Sequence, residues 1–502
     1  MMILKIGNPE ILNDTVIFQW NSNKHIPVFN KNTFHIKYQG LNIEDLPIDV
    51  FWSVFLSLMV PIVNSIDEES LFLFPKSIPK HVAETWINFH EASKITIYPI
   101  SEKSYKESLL SKVKKKVSTS KSYEAAVLFG GGKDSTYAYS LLAEILGINN
   151  VLLISYVYSW SQDAMSKVDK RRDNFMLTPL KRDLNTKIQK IISDFAAILT
   201  DFTKIQIPNV SLFTGPALPV IIKYDVQLLT HTNEFSSYRI SDNETNDPDF
   251  NFKRSRPEYD YYLSERTNDY YNTSFSINNL SYFLSGPAAF KIITERYPHM
   301  TKYISMCESI GNPNRRWCQN CRKCAEYVLY SLCYKNDQKY INVNYFFSEG
   351  QYIRNLLENS RNLIPLTEKH ENYPWVSSFS ASVHFESVCH AIASIDPGYV
   401  RNRTSDKAFN NFMLLKSRYG NKKFPLHESF IGPAFNQLNL PYADIIKKIV
   451  THHLSVFKES LIYYYKGNDV CKVDYNVKCE IPNIFSKNHG NFNLSKLENI
   501  NK

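Results

Sequence analysis

No part of this 502-residue chain restricts its fold as tightly as the stretch Glu124 to Leu142, EAAVLFGGGKDSTYAYSLL. Ala125 to Phe129 form a short apolar run of the size that makes a buried parallel strand. Gly130, Gly131 and Gly132 follow, then Lys133, Asp134 and Ser135. Beyond them the apolar spacing becomes helical through Tyr137, Leu141, Leu142 and Ile145. A strand, a glycine turn and a helix N-terminus in that order form a phosphate cradle. The glycines let backbone N–H groups turn toward an anion, and the new helix offers unpaired N–H groups and the positive end of its dipole. Lys133 adds a positive charge, and Asp134 is a candidate holder of a magnesium ion. The same glycines would also serve a ligand-free strand-to-helix turn, but a motif placed directly behind a strand favours the cradle.

The spacing excludes a Walker loop, which needs four residues between its first glycine and GK[ST]. It also excludes a G-x-G-x-x-G fingerprint. GGGKDS resembles the PP-loop of ATP pyrophosphatases, whose usual form is S-G-G-x-D-S. Gly131, Gly132, Asp134 and Ser135 fit that form, and Gly130 stands where the leading serine would be. The resemblance implies an open parallel-sheet, Rossmann-like nucleotide domain of the HUP/PP-loop type, with ATP held by Gly130 to Ser135.

A chain of this length is too long for one ordinary core, so several units are expected. Residues 1–105 read as a small α/β domain, with strands at Val16 to Trp20, Phe34 to Tyr38 and Leu71 to Phe74. Helices are expected there at Leu46 to Ile66 and His81 to Phe89. Residues 106–122 read as a lysine-rich linker helix. The nucleotide domain is expected over 123–335, a mainly helical region over 336–485 and a frayed tail over 486–502. The formal charge of +9 is a mild excess that suits anionic small molecules and is too weak to indicate nucleic acid. The opening MMILKIGNPEILND breaks its apolar run too early for a signal peptide. Val50 to Val63 is too short to span a membrane and contains Pro61. A cytoplasmic protein without membrane association is the expectation.

Within the nucleotide domain, Val151 to Tyr156 reads as the second strand, Lys181 to Leu199 as a long amphipathic helix and Thr203 to Ile207 as a third strand. A short helix is expected at Pro219 to Lys223 and a strand at Val226 to Thr230. Asn233, Glu234 and Ser236 would then lie just past the carboxyl end of that strand, where open parallel sheets bind ligands. A polar loop capping the next element fits the same residues. Residues 241–275, polar and rich in tyrosine, read as a long surface loop or lid. Helical patterns return at Leu280 to Met300, at 325–370 and at Asp444 to Tyr465. Glu386 and His390 stand at i,i+4 spacing in HFESVCHAIA, which suits a helix surface pair.

Four of the eight cysteines crowd together as Cys307-x10-Cys318-x2-Cys321-x2-Cys324. Overlapping C-x2-C pairs with a fourth thiol can close a tetrahedral zinc site, and four thiolates leave no open position for catalysis. Iron–sulfur ligation uses the same residues. A structural zinc is the preferred reading.

Together, the loop, the Asn-Glu segment and the cysteine cluster resemble cyano-deazaguanine synthases in general order. They resemble more closely the UDP-N-acetylmuramoyl-L-alanyl-L-glutamate epimerases of bacterial wall synthesis. Those enzymes have GGGKDS, Asn-Glu-x-Ser after a later strand and Arg-Trp-Cys-x2-Cys-x2-Cys. The counterparts here are Gly130 to Ser135; Asn233, Glu234 and Ser236; and Arg316, Trp317, Cys318, Cys321 and Cys324. The Cys307–Cys318 gap is shorter than in those epimerases, and the presumed lid is longer and richer in tyrosine. The resemblance implies an ATP- and Mg2+-dependent enzyme that adenylates a small or nucleotide-linked carboxylate, releases pyrophosphate, then inverts the neighbouring carbon and releases AMP. Asp134 and Lys133 are the expected catalytic residues, and Glu234, His231 and Glu386 are candidates for the base. An amidating or nitrile-forming enzyme, a tRNA-modifying enzyme and a nucleotide-binding regulator without catalysis are the alternatives.

Overall fold

Short apolar runs become the strands of one large sheet in the computed structural model, which describes all residues except 103–121, 159–160, 201–208, 235–253, 255, 272–273, 306, 308–312, 337–340, 359–381, 421–424, 467–468, 477 and 486–502. The N-terminal strands β1 (Met2–Ile6), β2 (Glu10–Leu12), β3 (Thr15–Ser22) and β4 (Thr33–Tyr38) pair antiparallel in the order β1-β3-β4, with β2 beside β3. Helix α1 (Ile48–Asn64) leads to β5 (Ser70–Pro79), and α2 (Lys80–Phe89) crosses over to β6 (Ile95–Ser101). Both of these strands run parallel, β5 beside β1 and β6 beside β5. The three strands and two helices expected here are all present. Val50 to Val63 are buried throughout α1, as a core helix requires. No helix among the described residues is long and apolar enough to cross a membrane.

The parallel part of the sheet begins with β7 (Ala125–Leu128), α3 (Lys133–Leu146) and β8 (Val151–Tyr158). An irregular helix follows: α4 (Gln162–Arg172) passes through a π-turn at Asp173–Leu177 into α5 (Thr178–Leu184). Next come β9 (Lys187–Ser193), α6 (Asn209–Lys223), β10 (Leu228–His231), α7 (Pro257–Tyr271), β11 (Ser276–Asn279) and α8 (Gly286–Arg296). Their strands lie in the order β11-β10-β7-β8-β9, every neighbour parallel. Numbered from β7, this is 3-2-1-4-5 read from the β9 edge, the order of open doubly wound sheets. The winding reverses between β7 and β10. At the other edge β9 pairs antiparallel with β4, so the N-terminal strands continue the same sheet.

Alternate side chains of these strands enter opposite cores, as the period of two demands. Ala125, Val127, Val151 and Leu153 share one core with α3 and α8. Ala126, Leu152, Ile154 and Leu229 share the other with α1 and α6. The first core extends into the C-terminal region, whose helices are α9 (Arg322–Cys333), α10 (Val343–Glu349), α11 (Gln351–Glu358), α12 (Ser382–Ser394), α13 (Pro397–Arg401), α14 (Asp406–Tyr419), α15 (Gly432–Asn436) and α16 (Ala443–His453). Short strands β12 (Ser429–Ile431) and β13 (Ser455–Phe457) pair parallel, and β14 (Leu461–Lys466) and β15 (Asp469–Asp474) form a hairpin.

Several expectations need correction. The long helix expected over Lys181 to Leu199 stops at Leu184, because Asn185 turns left-handed with φ of 52°. Residues 187–193 form the third parallel strand instead, with a burial alternation that suits β-branched Ile188, Ile191 and Ile192. The strand expected at Thr203 to Ile207 lies outside the described residues, as do the linker helix but for its last residue and the C-terminal tail. The short helix at Pro219 to Lys223 is the end of the longer α6. Within the presumed lid, Pro257 to Tyr271 form α7. Pro257 stands at its first position and Glu258 and Asp260 in its first turn, both favourable for a helix start. Its tyrosines 259, 270 and 271 are buried packing residues. The helix expected to reach Tyr465 ends at His453, where aromatic and β-branched residues pair as strands.

Candidate active site

The loop between β7 and α3 is shaped by Gly131. Its φ is 76°, and a Cβ there would stand 1.9 Å from Sδ of Met176 on the π-turn. Glycine is the residue that fits both demands. Around Gly130 and Gly132 a Cβ would meet nothing within 4 Å. Gly132 caps α3, and Thr136 N–H donates to its carbonyl at 3.0 Å. The N–H groups of Lys133, Asp134 and Ser135 precede that first bond and have no intrahelical acceptor. The Ser135 hydroxyl donates to the Gly132 carbonyl at 3.2 Å, which braces the cap.

Lys133 points beneath the loop. It is 1% exposed, with Nζ 2.8 Å from Asp134 Oδ2 and 3.6 Å from Glu234 Oε2. Burial alone would push its pKa down, but the carboxylates of Asp134, Glu234 and Glu326 outweigh burial and hold it above the ordinary lysine value. Gly286, the first residue of α8, leaves room for this lysine, since a Cβ there would lie 2.5 Å from Lys133 Cε. Asp134 is thus fixed through one oxygen. Its other oxygen, Oδ1, is buried and has no hydrogen-bond partner among the described residues. An oriented, unused carboxylate oxygen beside a glycine loop is the kind of donor that Mg2+ prefers.

A cleft of about 390 Å3 opens over the loop, at the reversal between β7 and β10. Gly130, Gly132, Asp134 and Ser135 line one side, and His231, Thr232 and Asn233 line the other. Tyr156 and Tyr158 stack, Phe213 meets Tyr156 edge-on, and the three rings form an aromatic wall with centroids 5.5 to 5.9 Å apart. The cations on the cleft are Arg171, Arg172 and Lys323. Arg171 donates to the Cys307 carbonyl and Arg172 to the Tyr156 carbonyl, which orients both guanidinium groups.

The turn after β10 is held by Asn279 at the end of β11. Its Oδ1 accepts from Asn233 N–H at 3.1 Å, and its Nδ2 donates to the Asn233 carbonyl at 2.8 Å. Glu234 is turned inward to Lys133, while Asn233 faces the cleft. Ser236 lies outside the described residues. His231 is buried, with Nε2 2.7 Å from Oδ1 of the buried Asp260 on α7. Burial pushes the Asp260 carboxyl up, and His231 pulls it partly back. Glu386 belongs to α12; His390, one turn on, lies 3.7 Å from Glu428 and does not line the cleft.

The four cysteines meet. The sulfurs of Cys307, Cys318, Cys321 and Cys324 all lie within 4.8 Å of one another, and Cys318 and Cys324 are 3.7 Å apart. Four thiolates about 2.3 Å from one tetrahedral zinc stand about 3.8 Å apart. Backbone N–H groups of Cys318, Asn320 and Cys321 approach the sulfurs of Cys307 and Cys318 at 3.4 Å, a turn closed by Gln319 at φ of 63°. This donor set can bind a metal such as zinc. Cys333, Cys389 and Cys479 form no disulfide among the described residues. The cluster abuts the glycine loop: Ser305 N–H donates to the Gly131 carbonyl at 2.9 Å. Arg316 donates to the carbonyls of Phe175 and Lys302, and Trp317 stacks on Tyr327 at 4.1 Å.

The structure therefore brings Gly130 to Ser135, Asn233, Glu234 and the four cysteines to one end of the sheet. Asp260, Asn279, Gly286, Arg171 and Arg172 belong there too and were not expected. Asp260 stands in the first turn of a helix that begins at a proline, a local signal of a helix start and not of a site. Comparison with protein-family models, curated proteins and solved structures finds no match.

Proposed function

We propose that this chain is an ATP pyrophosphatase that adenylates a carboxylate. Its substrate in this reading is the terminal L-glutamate of a UDP-muramoyl-L-Ala-L-Glu-like precursor, which it epimerises. The observation that carries the reading is the convergence of three segments far apart in sequence. The GGGKDS loop, the Asn233–Glu234 turn and the Cys307–Cys324 cluster meet around one cleft at the reversal point of a 3-2-1-4-5 sheet. That is where open α/β sheets bind nucleotides, and about 390 Å3 lies in the range of ligand pockets.

ATP would place its base against Tyr156, Tyr158 and Phe213 and its phosphates on the loop. A substrate carboxylate oxygen attacks the α-phosphorus, the bond to the β-phosphate oxygen breaks and pyrophosphate leaves. The loop N–H groups and the two arginines and Lys323 stabilise the charge that develops on those oxygens. Mg2+, when bound, neutralises phosphate charge, and Asp134 Oδ1 is the oxygen offered to it. Lys133 acts from below, its ammonium paired with Asp134 and Glu234 and holding both in place. Structural zinc in the cysteine site would hold Ser305 and Arg171 against the loop. Four sulfurs this close favour one ion over a cluster whose irons spread the ligands apart.

Conversion of the glutamate α-carboxylate to a mixed anhydride removes its negative charge, which makes the neighbouring Cα–H acidic enough for a protein base. Reprotonation on the other face and hydrolysis then give the D centre and AMP. The reading is tested with substrate carboxylate labelled with 18O. Transfer of one label into the phosphate of AMP is the expected result. Label transfer from a different acid but not from the muramoyl dipeptide would retain adenylation and reject the epimerase.

A further inference from the structure

Adenylation of a carboxylate needs no general base, because the nucleophile is already ionised at neutral pH. The cleft nevertheless holds a His–Asp pair. His231 lines it across from Gly130 and Asp134, and its Nε2 lies 2.7 Å from Asp260 Oδ1. An ionised Asp260 can only accept, so Nε2 carries the hydrogen and Nδ1 keeps its lone pair. Nδ1 meets Asn233 Nδ2 at 3.4 Å, a long contact that a substrate can displace. Glu258 and Arg256 flank Asp260, with Arg256 Nε 3.6 Å from Glu258 Oε2.

We propose that His231 is the proton acceptor of a second half-reaction in this cleft, removal of the hydrogen α to the adenylated carboxyl, with Asp260 as its positioning residue. The inference rests on the adenylation reading. The Nδ1 lone pair takes the α-hydrogen as a proton, and the C–H electron pair moves into the acyl carbonyl to give an enolate. The imidazolium so formed stays paired with Asp260. Water returns a proton to the opposite face of Cα, and the hydroxide left attacks the acyl carbon and expels AMP. The His231 proton passes to solvent, so one water is consumed in hydrolysis and the inversion itself is balanced. A carboxylate that holds the tautomer of a histidine base has the same role in hydrolases.

The experiment runs the full-length protein with ATP, Mg2+ and the muramoyl dipeptide in D2O. It reads pyrophosphate exchange into ATP and deuterium at the glutamyl α-carbon. Wild type should give both. His231→Gln should lower the ratio of deuteration to pyrophosphate exchange by about 100-fold or more, the usual weight of a positioned base. A ratio that stays at the wild-type value would overturn the proposal, as would equal loss of both signals in a variant that melts like wild type. His231→Ala, rescued by added imidazole, gives the same test should His231→Gln misfold. Asp260→Asn should shift the 15N resonances of the His231 ring toward the other tautomer and lower the same ratio; unchanged resonances would remove Asp260 from the role. Wild type that exchanges pyrophosphate without deuterating the substrate leaves adenylation standing and overturns the base. Wild type that exchanges no pyrophosphate overturns the adenylation reading and this inference with it.

Discussion

Adjacent glycines in the phosphate loop do different work. Gly131 is held at φ of 76° against Met176, whereas Gly130 faces open space. Gly131→Ala should therefore lower stability by at least about 1–2 kcal/mol through the left-handed backbone alone. Gly130→Ser should stay within about 0.5 kcal/mol of wild type. Urea denaturation of the two variants checks both numbers, and equal losses would mean that the loop has another shape. Beneath the loop, Lys133 neutralises a buried acidic group formed by Asp134, Glu234 and Glu326. Lys133→Met should cost about 3–5 kcal/mol, since it takes from Asp134 and the buried Glu234 the cation that contacts them. Asp134→Ala should abolish AMP formation and leave the metal content of the cysteine site intact, as read by elemental analysis. Turnover that survives would remove Asp134 from the metal role.

Helices α2 and α7 pack through a contact that acid should loosen. His81 of α2 packs against Tyr270 of α7 with ring centroids 4.1 Å apart and planes tilted by 50°. Burial, and then the nearby Arg266, push its pKa down to about 4. A folded-state value below the ordinary 6.5 means that the unfolded chain takes up the proton first. The stability His81 contributes is thus present above pH 6.5 and is lost as pH falls toward 4. Denaturation midpoints should drop over that window, and His81→Gln should flatten part of the drop. His90 and His427, also pushed down by burial, act in the same direction and keep the rest. This helix pair also marks where sequence reading stops. The β7–loop–α3 unit was legible because its strand, glycines and helix spacing are contiguous. Residues 187–193 were misread because Ile188, Ile191 and Ile192 satisfy a helical period as well as a buried strand; the deciding residue, Asn185, acts through one left-handed turn. Tyrosines 259, 270 and 271 looked like lid residues because their polar tips hid the apolar face they bury. Asp260 and Asn279 reach the site only through tertiary contacts, so no local pattern announced them as site residues.

For the whole molecule, the continuous sheet sets the relation between the parts. The β4–β9 pairing joins the N-terminal strands to the parallel strands β7 to β11, and the cysteine cluster clamps the chain after α8 against the loop that follows β7, inside the sheet. Metal in that cluster should therefore support nucleotide binding at a distance. Chelation with removal of the ion should lower Tm and weaken ATP affinity together, as read by calorimetry. Structural zinc in peptides binds with an apparent 10–16 kcal/mol, so a change in Tm without any change in affinity would separate the clamp from the cradle. The central claim is the site of cleavage in ATP, and it is tested most directly by identifying the nucleotide products formed with Mg2+ and the muramoyl dipeptide. AMP and pyrophosphate in equal amounts, dependent on the carboxylate, are the predicted result; ADP and phosphate, or ATP left intact with every carboxylate supplied, would contradict it.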